Sequence, residues 1–219
     1  MNKTLLHCMF GATLAMFSTS AIAQDIDNVL PVASDISLRS DGTNADKANA
    51  KANTIEMYTV RTDGAITKDF VGLMSFTVPA KAGYSIKSAT LRLTTERAKG
   101  TLAIYGFGAD VSDADTYNSQ KDNIAAARGN EPVAVLKLKG TSNKAVTDKG
   151  ASANVEDWQN NIDLTDYVKT VGSGNVNLLL VNNAESTSTS IKVYTSDATD
   201  VDNTKNDPNF TFKAEDLVP

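Results

Sequence analysis

Residues 85–95 read SIKSATLRLTT, and their alternation decides the fold class. Successive side chains of a strand point to opposite faces, so Ile86, Ala89, Leu91 and Leu93 form the expected buried set, and Arg92 and Thr94 face the other way. The same kind of run recurs on both sides. Residues 33–39 place Ile36 and Leu38 against Asp35, Ser37 and Arg39, and residues 54–62 (TIEMYTVRT) alternate again. Residues 69–79 (DFVGLMSFTVP) are the most apolar run and are expected to be a central strand. Residues 101–107 (TLAIYGF) are expected to bury Leu102 and Ile104 and to turn Tyr105 and Phe107 outward. Further short strands are expected at 132–138, 175–182, 190–195 and 209–213, with polar connectors between them. Helix is confined to one or two turns at 123–128 and a short piece within 162–171, where Thr165 is a candidate cap. Nine or ten short strands without β–α alternation predict an all-β antiparallel β-sandwich, and the expected fold class is a sandwich of jelly-roll type with minor helix.

The N-terminal segment has a different character. Lys3 is followed by an uncharged apolar run to Phe17, then by small polar residues and Ala21-Ile22-Ala23. This is the order of a cleavable secretory signal, and the apolar run is too short to span a bilayer. The expected organisation is a signal peptide at 1–23 and a single domain at 24–219, located outside the cytoplasm or in a bacterial periplasm. Cleavage would remove the one His, His7, and the one Cys, Cys8. The exported chain would then have no disulfide, no Cys/His metal site and no His-dependent triad. Losing Lys3 takes the formal charge from −5 to −6. No basic stripe is present, which argues against nucleic acid as a partner.

The remaining chemistry is that of a surface. No pair of carboxylates has the character of a glycosidase acid and nucleophile, so the chain is expected not to be an enzyme. Asp110, Asp113 and Asp115 share their D-x-x-D-x-D spacing with Asp197, Asp200 and Asp202. Two readings stand: oxygen ligands for calcium, with Asp35 as a further candidate, or Asp side chains closing turns. Trp158 lies among polar residues, and with Tyr58, Tyr105 and Tyr117 it offers an aromatic plane on which a sugar ring can stack. Arg92 and Arg97, with Lys87 and Lys99, form a small cationic set suited to carboxylates, since the guanidinium fork gives two parallel bonds.

The succession of strands resembles the DNRLRE-type domains, secreted bacterial β-sandwich modules that include carbohydrate-binding modules of alginate- and pectin-degrading enzymes. Ser85 to Leu93 (SIKSATLRL) carries the closest similarity, to an I-x-S-A-x-L-R-L signature. Ala33-Ser34-Asp35, VGLMSFTVP, LAIYGF, IDLTDYV and IKVYTSDA follow in the family's order. The family's Trp-x-Glu segment is replaced by Asp115-Thr116-Tyr117-Asn118, and the late Arg-Glu by Asp197-Ala198. Residues 215–219 read as the approach to a further strand, and two readings stand: a chain cut short, as the family's closing strand implies, or a natural frayed C-terminus. The resemblance also implies a non-catalytic module that holds a polysaccharide, with alginate or pectin as acidic examples. The expected contacts are Arg92, Arg97, Tyr105 and Trp158, and the expected partner in a longer parent chain is a catalytic domain. A structural calcium is expected at Asp35, Asp197, Asp200 and Asp202. The alternative function is an extracellular matrix, adhesion or surface component that uses the same fold for protein contacts.

Overall fold

The computed structural model describes residues 26–80, 84–138, 159–183, 190–196 and 209–216. The strands are β1 (Ile26–Pro31), β2 (Ser34–Arg39), β3 (Thr54–Thr62), β4 (Ala65–Val78), β5 (Tyr84–Ala98), β6 (Gly100–Gly106), β7 (Ala134–Leu138), β8 (Gln159–Asp163), β9 (Gly174–Asn182), β10 (Ile191–Tyr194) and β11 (Asn209–Asp216). Two helices, α1 (Tyr117–Arg128) and α2 (Thr165–Val171), and a 3-10 turn at Gly42–Asp46 complete the described elements. All the described strand pairings are antiparallel. Nine strands follow one path, β1-β11-β5-β10-β3-β4-β9-β6-β7, while β2 joins β4 and β8 joins β5. The sheet curls nearly into a barrel. The mostly β, antiparallel expectation therefore holds, with more strands than the sequence pattern separated.

Two positions show how the chain achieves this curl. Asp63 and Gly64 both have positive φ, 51° and 80°, between the paired Thr62 and Ala65. Positive φ at both central residues is the two-residue hairpin geometry that matches strand twist. It extends β4 back to Ala65, well before the expected start at Asp69. Further along β4, a Cβ on Gly72 would lie 2.5 Å from Ile55 Cγ2. The missing side chain at Gly72 therefore lets β3 cross over β4. Beyond this crossing, β3 pairs with β10, where Ile55 meets Val193.

Met74 and Phe76 of β4, Leu102 and Ile104 of β6, and Leu178 and Leu180 of β9 meet Ile55, Met57, Leu91, Leu93, Ile191 and Val193 in one core. An alternation of buried and exposed positions does not describe the middle of β4, because its other face is buried as well. Val71, Leu73, Leu179 and Val181 pack with Ile36, Leu38, Tyr105 and Phe107 beneath Ile124 and Ala127 of α1. Strands buried on both faces read as continuous apolar runs, which accounts for VGLM and NLLLV. Helix α1 is also longer than the expected one or two turns. Thr116 Oγ1 accepts from the Ser119 N–H and the Ser119 hydroxyl accepts from the Thr116 N–H, a reciprocal cap that fixes its start.

In β5, two registers shift. Lys87 is the extra residue opposite the Lys213/Ala214 step, and Glu96 is the extra residue opposite Lys192/Val193. Each bulge re-phases the strand. This keeps Ile86 packed on the core although Ala89, Leu91 and Leu93 have the opposite parity to it.

Candidate functional site

The outer face of β5 is polar along its length. By cross-strand register, Arg92 lies between Asn161 of β8 and Asn209 of β11, and Thr90 lies between Asp163 and Thr211. Directly paired residues share a face, so Arg92 with Asn161 and Thr90 with Asp163 form two polar rows. Arg92, Thr90 and Ser88 are half-buried, and Asn161 and Asp163 are exposed. Thr94 continues the face but is buried, and its hydroxyl has no hydrogen-bond partner. The rows end at α2. Asp163 accepts from the Thr165 hydroxyl at 2.6 Å and from the Thr165 N–H at 2.9 Å, and these bonds hold its carboxyl below the usual carboxylate range. Thr165 Oγ1 in turn accepts from the Ala89 N–H at 3.0 Å. The expected helix cap is thus shifted: Thr165 is the first helical residue, and Asp163 satisfies its N–H.

Of the four expected sugar-binding residues, the two with described side chains, Arg92 and Tyr105, lie on different faces of the fold. Arg92 is on this face. Arg97 pairs with Lys192 further along β5. Trp158 lies outside the described residues. Tyr105, expected to point outward, is 7% exposed and packs under α1, and its hydroxyl accepts from Asn183 Nδ2 at 3.0 Å. The correction has a simple cause. Its neighbour Ile104 occupies the central core, and the opposite face, where Tyr105 and Phe107 point, is covered by a helix rather than by solvent.

The expected calcium residues divide in the same way. Asp197, Asp200 and Asp202 lie outside the described residues. Asp35 is buried at 3% exposure, and its two carboxylate oxygens accept from the Ser196 N–H (2.8 Å) and the Ser196 hydroxyl (3.1 Å). It thereby ties β2 to the chain leaving β10. In the first acidic loop, Asp115 accepts from the Ser112 N–H and from Gln120 Nε2, and Asp113 accepts from the Ser34 hydroxyl. This is turn closure and strand anchoring. Among the described residues, no group of three His, Cys, Asp or Glu side chains is placed to hold a metal ion.

Two groupings bring together residues that local spacing does not connect. The first is buried. Asp69 is 1% exposed and receives Arg128 Nη2 at 2.7 Å, the Tyr117 hydroxyl at 3.0 Å and the Thr59 hydroxyl at 3.3 Å. Its backbone N–H donates to the Ser40 hydroxyl. Burial, then the charge of Asp69 and its hydrogen bond, push the Tyr117 phenol up to about 12. Arg128 Nε is buried without a partner. The second grouping lies one residue away along the chain from Ser40, Thr59 and Asp69. Arg39 and Tyr58 both pair with Phe70. The Arg39 guanidinium carbon is 5.1 Å from the Phe70 ring centroid, and Tyr58 and Phe70 have centroids 5.9 Å apart at an interplanar angle of 56°. Arg39 Nη2 also reaches Glu56 Oε2 at 3.5 Å.

Among the described residues, no helix is long and apolar enough to cross a membrane. No known protein family and no curated protein matches the chain.

Proposed function

We propose that the protein is an exported, non-catalytic polysaccharide-binding domain whose fold is a jelly-roll-type sandwich of the kind its resemblance to DNRLRE-type domains implies. The observation that carries this reading is the polar outer face of β5, with Arg92 paired to the exposed Asn161 and Thr90 to the exposed Asp163. A flat apolar patch there would favour a protein partner, whereas polar rows suit the hydroxyl groups of a glycan. The sequence supports the non-catalytic part, because its only His and Cys belong to the segment read as a signal. Asp35 is already engaged by Ser196, so the proposal does not depend on calcium.

Affinity electrophoresis of the exported protein in gels containing alginate, pectin or a neutral glucan tests the reading. Retardation by an acidic gel, reduced in Arg92→Gln, is the expected result. Unretarded migration in every gel overturns it. The rival reading, a surface component that binds protein, is favoured by Val29 (65% exposed) on β1 and Val135 (55% exposed) on β7, the two ends of the strand path. It predicts concentration-dependent self-association in sedimentation velocity without any glycan affinity.

A further inference from the structure

The Arg39 grouping combines chemistry not seen among the described residues of the β5 face, namely aromatic rings beside a guanidinium. Tyr58 and Phe70 are half-buried, so each ring is seated in the fold and keeps part of its surface in water. Arg39 lies over Phe70, and its side chain is 38% exposed. Its acidic partner is weakly engaged: one 3.5 Å contact to Glu56, whose side chain is 21% exposed. Exposed pairs of this kind add little stability, and a single long contact leaves the guanidinium fork able to take a second carboxylate with two parallel bonds. Glu56 is paired by register with Lys192, so one acidic group stands between two basic ones. This row is locally cationic on a chain whose formal charge is −5.

The row is also held firmly from behind. Ser40, Thr59 and Asp69, the chain neighbours of Arg39, Tyr58 and Phe70, are joined in the buried network that Arg128 closes. Three strands are therefore fixed in register directly under the platform. A binding surface built on fixed strands loses less freedom when it takes a ligand.

We propose that Arg39, Tyr58 and Phe70 form a subsite for a carboxylated sugar ring, a hexuronate unit of an acidic glycan, with Glu56 as the internal competitor for Arg39. The Arg39 fork, braced on the Phe70 ring, takes the carboxylate, and the Tyr58 ring beside it receives the apolar C–H face of the sugar. The proposal rests on the polysaccharide reading but names a different surface from the Arg92 face.

Calorimetric titration of the exported protein with galacturonate and mannuronate trimers, and with a neutral glucose trimer, tests it. Arg39→Gln is expected to weaken binding of the acidic trimers by about tenfold, the loss of a charged two-bond contact. Glu56→Gln is expected to strengthen that binding, because the competitor is gone, and Phe70→Leu to weaken it while preserving apolar volume. Thermal melting of each variant checks the fold, and Glu56→Gln, whose expected effect is a gain, stays decisive if Arg39→Gln does not fold. Unchanged affinity in Arg39→Gln with a loss in Arg92→Gln overturns the subsite and leaves the polysaccharide reading standing. Weakened binding in Glu56→Gln, or equal binding of the neutral trimer, overturns the carboxylate assignment. No binding of any trimer by the wild-type protein overturns this subsite together with the polysaccharide reading.

Discussion

Strands β4 and β5 are both long, and they differ in what covers them. The middle of β4 is buried on both faces, one by the central core and the other by α1. β5 is buried on one face and presents Ser88, Thr90 and Arg92 on the other. The difference is visible in their composition: VGLMSF has no polar alternation, while SATLRL has it at nearly every step. The stretch of β4 that is covered on both faces, Val71–Phe76, supports the fold and has no surface left for a ligand. A strand with one polar face is free to hold one, and its surface residues need not contribute to stability. Substitutions on the two strands and their partners should therefore separate stability from binding.

The largest effect should come from the charge buried beneath α1. Asp69→Ala leaves Arg128 without its carboxylate and takes an acceptor from Tyr117 and Thr59. Removing one partner of a buried ion pair costs about 3–5 kcal/mol, read as a shift of the urea midpoint. A loss near zero would mean that α1 is not held there and would break the comparison. Leu179→Ala, on the β9 face under α1, should follow at about 2–5 kcal/mol, because a fully buried side chain is deleted in a packed layer.

Tyr117 gives a pH signature for the same region. Its phenol rises from 10.0 to about 12 in the folded protein, so the folded state holds its proton more tightly than the unfolded chain. The stabilisation is complete below pH 10 and is lost as pH rises through 12. Tyr117 is only half-buried, and with solvent screening the loss is on the order of 1 kcal/mol. Urea titrations at about pH 8 and about pH 11.5 should show it, and Tyr117→Phe should remove that part of the alkaline dependence. An identical pH profile in the variant would mean that the Tyr117–Asp69 bond does not couple α1 to the sheet.

Much of this comparison was legible in the sequence. The alternation of 85–95 identified Arg92 as outward, and the apolar run at 69–79 identified a central strand. Tyr105 was not legible, because its exposure depends on a helix whose only buried apolar residues are Ile124 and Ala127, too weak a stripe to announce a covered face. The Asp63-Gly64 hairpin turn is a local signal that could have extended β4. The pairing of Asp69 with Arg128 has no such signal, since the two residues are 59 positions apart and meet only when α1 folds back over β4. Likewise Arg39, Tyr58 and Phe70 come from three strands, and only the register brings their side chains together.

The smallest expected effect on stability is the one that gives the comparison its functional content. Arg92→Gln replaces a half-buried side chain on the polar face of β5 and leaves Leu91 and Leu93 in the core untouched. Substitutions on a solvent-facing surface usually change stability by no more than about 0.5 kcal/mol, and losing a partly exposed charged contact adds at most about 1 kcal/mol, so the urea midpoint should move little. Retention by an acidic gel should fall in the same variant. A large stability loss would instead make Arg92 a structural strut, and the face of β5 would then resemble the covered face of β4. Unchanged stability with reduced retention would separate the covered stretch of β4, which keeps the fold together, from the open face of β5, which meets the ligand.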